Sequence, residues 1–134
     1  MFEKINFKTP PVEAGNLTFF EANRDIPFEI KRVYYLYGVK AGQVRGLHSH
    51  KELRQVFIFI HGSCRIMLTD GTNRTETILN SPAEGLYIEK GLWREIHDFS
   101  PGAVLVVLAS DYFDEKDYIR NYDEYIEYIK ENTK

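Results

Sequence analysis

The chain has little cysteine, few alanines and no long apolar run, and each shortage closes off a class of protein. A single cysteine, Cys64, cannot form an intrachain disulfide, so a cystine-stapled secreted scaffold is excluded and a reducing compartment is expected. Buried in a strand-like run, Cys64 reads as a small core side chain. Nowhere do about eighteen apolar residues follow one another, so no membrane-spanning helix is expected. The opening MFEKINFKTPPVEAG lacks a basic segment followed by an apolar one, and the expectation is therefore a cytoplasmic protein. No block of Lys and Arg is present and the formal charge is −3, which argues against nonspecific nucleic-acid binding, since that needs several phosphates neutralised together. A small anion needs only a local cluster, such as Lys31 and Arg32 with Arg45.

What the chain does have is aromatic and β-branched residues in short runs. Its 134 residues suit one domain, long enough to remove roughly two-thirds of the unfolded surface from water. Nine Phe and nine Tyr favour β-structure over a helical bundle. Runs separated by turn signals predict strands in NLTFFEA, KRVYYLYGV, RQVFIFIHG, SCRIMLTDG, ETILN, GLYIEK, WREIHDF and AVLVVLAS, the spacing of an all-β barrel or sandwich. Asp70 and Gly71 mark a hairpin turn. The barrel is expected over about residues 16–110. Beyond it the period changes: Tyr118, Tyr122, Ile126 and Ile129 predict an amphipathic helix within about residues 112–132, packed on the barrel.

The segment VRGLHSHKELRQVFIFIHG carries the chemistry. Side chains alternate along a strand, so His48 and His50 share a face, and in a small barrel that face can be the inner one. A metal cage and an acid–base pair both use two imidazoles. The pattern H-x-H, then Gln55, then Gly62 resembles the cupin signature. Metal-binding cupins place Glu where this chain has Gln55, and a second-strand His where it has Arg94. An amide and a permanent cation in those slots remove two ligands and add repulsion, so no metal is expected. His97, three residues beyond Arg94, falls on the opposite face. Two neutral imidazoles suit proton transfer near neutral pH, although a lone strand histidine is more often a hydrogen-bonded structural residue.

Neighbouring residues sharpen the resemblance. PFEIKRVYYLY, RGLHSHKELRQV, GSCRIMLTDG, SPAEGLYIEKGLWREIHDFS and VLASDYFDEKDYIRNYDEY are similar to the dTDP-4-keto-6-deoxyglucose 3,4-ketoisomerases, metal-independent RmlC-like cupins of deoxyamino-sugar biosynthesis. The resemblance covers about Asn6 to Tyr128. It implies a jelly-roll β-barrel with a C-terminal amphipathic helix, and an isomerase that moves a carbonyl from C-4 to C-3 of a dTDP-linked 4-keto-6-deoxy sugar without a cofactor. By the same resemblance His48 is the carbon-directed base, with His50 and Tyr34 serving protons at the sugar oxygens. Arg45, Arg32 and Arg94 are the substrate-binding candidates, Arg32 for the diphosphate. Trp93, Tyr35 and Tyr37 read as packing residues. Arg94 matches the members whose product has the gluco configuration, while Ala14 matches neither the gluco nor the galacto type. Members are homodimers that exchange N-terminal strands, so the same is expected here. The family context also implies that the ketone is aminated for a surface glycan such as lipopolysaccharide. Two alternatives stay open at this point: a nucleotide-sugar 3,5-epimerase, and a non-catalytic cupin that only binds a sugar or another ligand.

Overall fold

The computed structural model describes residues 2–132. Ten strands form two antiparallel five-stranded sheets that face each other. In chain order they are β1 (Phe2–Asn6), β2 (Arg32–Leu36), β3 (Arg45–His50), β4 (Gln55–His61), β5 (Cys64–Thr69), β6 (Arg74–Leu79), β7 (Glu84–Ile88), β8 (Trp93–His97), β9 (Val104–Ala109) and β10 (Tyr118–Ile119), followed by helix α1 (Tyr122–Asn132). One sheet runs β1-β7-β4-β9-β2 and the other β10-β3-β8-β5-β6. The fold is the all-β barrel that the strand spacing predicts and the cupin that the resemblance implies, with one α-helix among the described residues, after the last strand.

Alternation decides what the barrel encloses. Phe57, Phe59, Ile66, Leu68, Leu86, Ile88, Leu105 and Val107 are fully or almost fully buried between the sheets. On β2 the same rule sends Arg32, Tyr34 and Leu36 inward, while Val33 and Tyr35 stay exposed at 55% and 61% on the outer face, as does Tyr37, just past the strand, at 71%. The β5–β6 turn closes as predicted: Asp70 accepts from the amides of Thr72 and Asn73 at 2.9 and 2.7 Å, and Gly71 takes φ 97°.

Three elements differ from the sequence reading. NLTFFEA forms no strand; it contributes only isolated bridges at Lys8–Phe19 and Ala22–Ile26, and Asn23, with φ 61°, turns the chain directly after it. The strand is instead Phe2–Asn6, paired along β7. The helix starts at Tyr122, where Asn121 caps it by accepting from Glu124 N at 3.1 Å. Tyr118 therefore lies outside the helix, in β10, and the buried centre of the helical face is Tyr125, whose hydroxyl donates to Gly91 O at 2.7 Å. Trp93 packs against Tyr122 and Tyr125, the packing role expected of it. Cys64 is likewise buried, and burial pushes its thiol up to about 12, which makes it inert.

Gly62 ends β4 in the left-handed region at φ +80°, and a Cβ there would stand 2.4 Å from Ser100 Oγ and 2.9 Å from Ala103 Cα. The backbone of Ala103 cannot swing aside as a side-chain tip can. Gly62→Ala is expected to destabilise by about 2–4 kcal/mol, combining left-handed strain with overpacking, as read from urea midpoints.

Candidate active site

The site is built around an irregularity in β3. Arg45 pairs with Ile96 and His48 with Arg94, so β3 carries one residue more than β8 across this interval. That is a β-bulge. Gly46 takes φ 91° and Leu47 φ 30°, and a Cβ on Gly46 would meet Arg94 Cγ at 3.3 Å. The turned carbonyl of Gly46 accepts a hydrogen bond from His48 Nδ1. A carbonyl oxygen only accepts, so Nδ1 carries the imidazole hydrogen and Nε2 keeps a free lone pair.

His50 is fixed by a different partner with the same result. Its Nδ1 donates to Asp117 Oδ2 at 3.0 Å, and its ring is fully buried. The Nε2 atoms of both histidines are buried and unpartnered. The two rings meet edge to face with centroids 4.8 Å apart, and Tyr118 packs against both, at 5.1 and 4.3 Å.

Behind them runs a chain of polar side chains. Arg94 is completely buried; it donates to Gln55 Oε1 and, at 3.0 Å, to Leu92 O. Gln55 Nε2 in turn donates to the Tyr34 hydroxyl at 3.0 Å. Direction follows from chemistry: Arg94 offers only donors, so it fixes the Gln55 amide with oxygen towards itself. The Tyr34 oxygen is then an acceptor on that side, and its own hydrogen is left for the cavity.

That cavity measures about 590 Å3 and is lined on its polar side by Arg32, Tyr34, Arg45, His48, Tyr118 and Arg120, a size suited to a small organic ligand. Phe57 and Ile96 contribute to its apolar wall. Among the described residues no carboxylate pairs with Arg32, Arg45 or Arg94, whereas Arg120 is held by Glu115 at 2.7 and 2.9 Å. Arg32 lies over the Tyr34 and Phe113 rings with Nε and Nη2 buried and unpartnered. Guanidinium groups without counter-charges favour an anion, and a diphosphate matches their fork geometry.

Burial, reinforced by Arg94, lowers the His48 pKa to about 3 and pushes that of His50 down as well. The His50–Asp117 contact is therefore a neutral imidazole donating to a carboxylate. Because the unfolded chain protonates these groups near their ordinary value of 6.5, stability is complete above that pH and lost as pH falls below it. Each imidazole is expected to remove up to about 1.4 kcal/mol per pH unit in this window, seen as falling urea midpoints. The acid limb of kcat/KM should accordingly follow unfolding and not an imidazole titration near 6.5.

A divalent cation does not fit these donors. The slots that hold ligands in metal-binding cupins carry His48, His50, an amide already bonded to Arg94, and Arg94 itself, whose charge lies across the β3–β8 ladder from His48.

Of the residues singled out from sequence, Arg32, Tyr34, Arg45 and His48 line the cavity directly, while His50 and Arg94 sit behind it. Asp117, Tyr118 and Arg120 were not singled out for the site. The only signal was the alternation Asp117-Tyr118-Ile119-Arg120, too short to read as a strand beside a helical pattern.

A family model described as FdtA: WxcM-like, C-terminal matches residues 2–130. The chain belongs to the FdtA family. It is 51% identical over 125 residues, 93% of its length and 90% of the relative's, to TDP-4-oxo-6-deoxy-alpha-D-glucose-3,4-oxoisomerase of Aneurinibacillus thermoaerophilus. Among solved structures, a mutant of the 3,4-ketoisomerase QdtA from Thermoanaerobacterium thermosaccharolyticum, in complex with TDP-4-keto-6-deoxyglucose, superposes with a TM-score of 0.94 at 48% identity, covering 98% of this chain and 95% of that one. WlaRB, a TDP-quinovose 3,4-ketoisomerase from Campylobacter jejuni, gives 0.89 at 48% identity, with 94% and 97% covered. The 3,5-epimerase RmlC of Legionella pneumophila, covering 93% of this chain and 76% of its own, shares the fold at a TM-score of 0.75 but only 19% identity. FdtA-family membership thus joins the barrel to the histidine pair in one frame.

Proposed function

We propose that this protein is an isomerase that converts TDP-4-keto-6-deoxy-D-glucose into the 3-keto sugar. The observation that carries this reading is the pair of neutral imidazoles whose hydrogens are tied down at Nδ1 and whose Nε2 lone pairs are unpartnered, His48 lining an arginine-lined cavity and His50 edge to face directly behind it. The ketone at C-4 acidifies the hydrogen on C-3. His48 Nε2 removes that proton, leaving an enediolate, and returns it to C-4. Meanwhile the hydrogen of the C-3 hydroxyl passes to the C-4 oxygen, so the carbonyl is left at C-3 and nothing is oxidised or reduced overall. Tyr34, whose hydroxyl hydrogen is directed into the cavity, and His50 serve that oxygen-to-oxygen transfer. Arg32 and Arg45 hold the diphosphate, and Arg94 stabilises the enediolate through Gln55 and Tyr34.

The gluco configuration is the favoured product, supported by Arg94 and by the 48% identity to a TDP-quinovose 3,4-ketoisomerase. The product is set to be aminated for a deoxyamino sugar of a surface glycan, with the reaction in the cytoplasm. No helix among the described residues is long and apolar enough to cross a membrane. A homodimer is supported by the exposed Val33 and Tyr35 on the edge strand β2 and by Tyr37 just past its end. Here β1 fills the edge of its own β7, a ladder that a partner's N-terminal strand would reproduce on exchange.

Proton NMR of the product formed in deuterated water by chelator-treated enzyme tests the reading. The expected result is a ketone at C-3 with gluco stereochemistry and full activity without metal. Label at C-5 with inversion would instead indicate the epimerase, and tight binding without turnover a sugar-binding cupin. Activity lost on chelation and restored by zinc would overturn the cofactor-free route.

A further inference from the structure

Asp117 lies 67 residues along the chain from His50, on the arm that runs from the short 3-10 turn Glu115–Asp117 into β10. Its carboxylate meets only donors. Oδ1 accepts from Glu52 N at 2.8 Å, and Oδ2 accepts from His50 Nδ1 at 3.0 Å and Leu53 N at 3.3 Å. Its backbone oxygen accepts from Lys51 N at 2.9 Å, and β10 pairs Tyr118 with His50 and Ile119 with Ser49. One side chain thus pins the turn after β3, the arm, and the histidine ring together.

We propose that Asp117 is a positioning residue for the isomerisation: it locks His50 as the Nδ1–H tautomer, so that Nε2 is a proton acceptor only while the C-terminal arm is docked. This rests on the ketoisomerase reading, in which His50 moves the oxygen-borne proton. The other charged or titratable groups that bear on His50 are Arg94 from β8, His48 from β3, Arg32 from β2, and Tyr118 and Arg120 from the arm, and the hydrogen bond at Nδ1 goes to none of them. The arm also brings Tyr118 onto both imidazoles and Arg120 to the cavity. Docking of one segment therefore assembles a tautomer, a ring face and a cation at once.

Asp117→Asn is nearly isosteric but cannot satisfy the same three donors. The amide oxygen keeps Glu52 N, and the amide nitrogen then faces Leu53 N and His50 Nδ1. It becomes a donor to Nδ1, which drives the hydrogen to Nε2. Nitrogen NMR of labelled imidazole separates the two tautomers with or without substrate. The expected results are Nδ1–H at His50 in the wild type, Nε2–H in D117N, and a kcat about 100-fold lower with TDP affinity changed less than about threefold. In a His50→Asn background, D117N should cost nothing further. Nε2–H in the wild-type protein would overturn the proposal even if D117N does not fold. So would an equal loss of kcat with and without His50, since that is the mark of a purely structural role. Absence of turnover by the wild type, with Nδ1–H observed, would count against the isomerase reading and leave the tautomer lock standing.

Discussion

His48→Asn is expected to lower kcat by roughly 10²- to 10⁴-fold, the range over which a positioned base contributes to proton transfer. The amide of Asn replaces the inner half of the imidazole and can still donate to Gly46 O, so the bulge should hold. It has no basic nitrogen at the place of Nε2, and the proton on C-3 loses its acceptor. Affinity for TDP should be little changed, because Arg32 and Arg45 reach the cavity from β2 and from the far side of the bulge. Deuterium wash-in at C-3 and C-4, followed by NMR, should disappear with the ketone shift. A variant that turns over within tenfold of wild type would transfer the base role to His50.

Arg94→Met is expected to separate activity from stability. The guanidinium is wholly enclosed without a carboxylate, and desolvation holds its pKa down to about 10, still charged at neutral pH. Such a charge is costly to keep in the interior, and an unbranched thioether of similar length fills the same channel. Against that gain stand the acceptors of Gln55 and Leu92, which lose their donors at about 1–3 kcal/mol each. The two effects oppose, so the urea midpoint should move far less than for a core truncation. Turnover should fall by about 10²-fold, since the Gln55 amide is freed to turn over and the Tyr34 hydrogen loses its direction. Both imidazoles should titrate closer to their ordinary value, as Arg94 is the largest charge pressing them down after burial itself. Unchanged turnover, or a collapse of the fold, would refute this division of labour.

How much of this was legible beforehand depends on the range of the signal. His48, His50 and Tyr34 could be placed because strand alternation is local, and Gln55 and Arg94 because the cupin spacing fixes their slots. That Arg94 is sealed behind the cavity could not be seen, since burial there depends on Gln55 arriving from the opposite sheet. Asp117, Tyr118 and Arg120 were hidden for another reason. Tyr118 is spaced four residues before Tyr122, so periodicity extends the helix one turn too far. Only the cap at Asn121 cuts that turn off. The first strand was missed because FEKIN has a polar residue at most of its positions and gains its place only by pairing along β7.

The single surplus residue in β3 does more than supply a carbonyl to an imidazole. Arg45 and His48 are three apart, and along an unbroken ribbon an odd separation sends two side chains to opposite sides. The kink at Gly46 and Leu47 resets the count, and both face the same hollow. Excising Leu47 would leave Arg45 and His48 two apart, still on one side of a now regular ribbon, so the loss would fall on the kink itself and on the turned Gly46 carbonyl that holds the His48 ring.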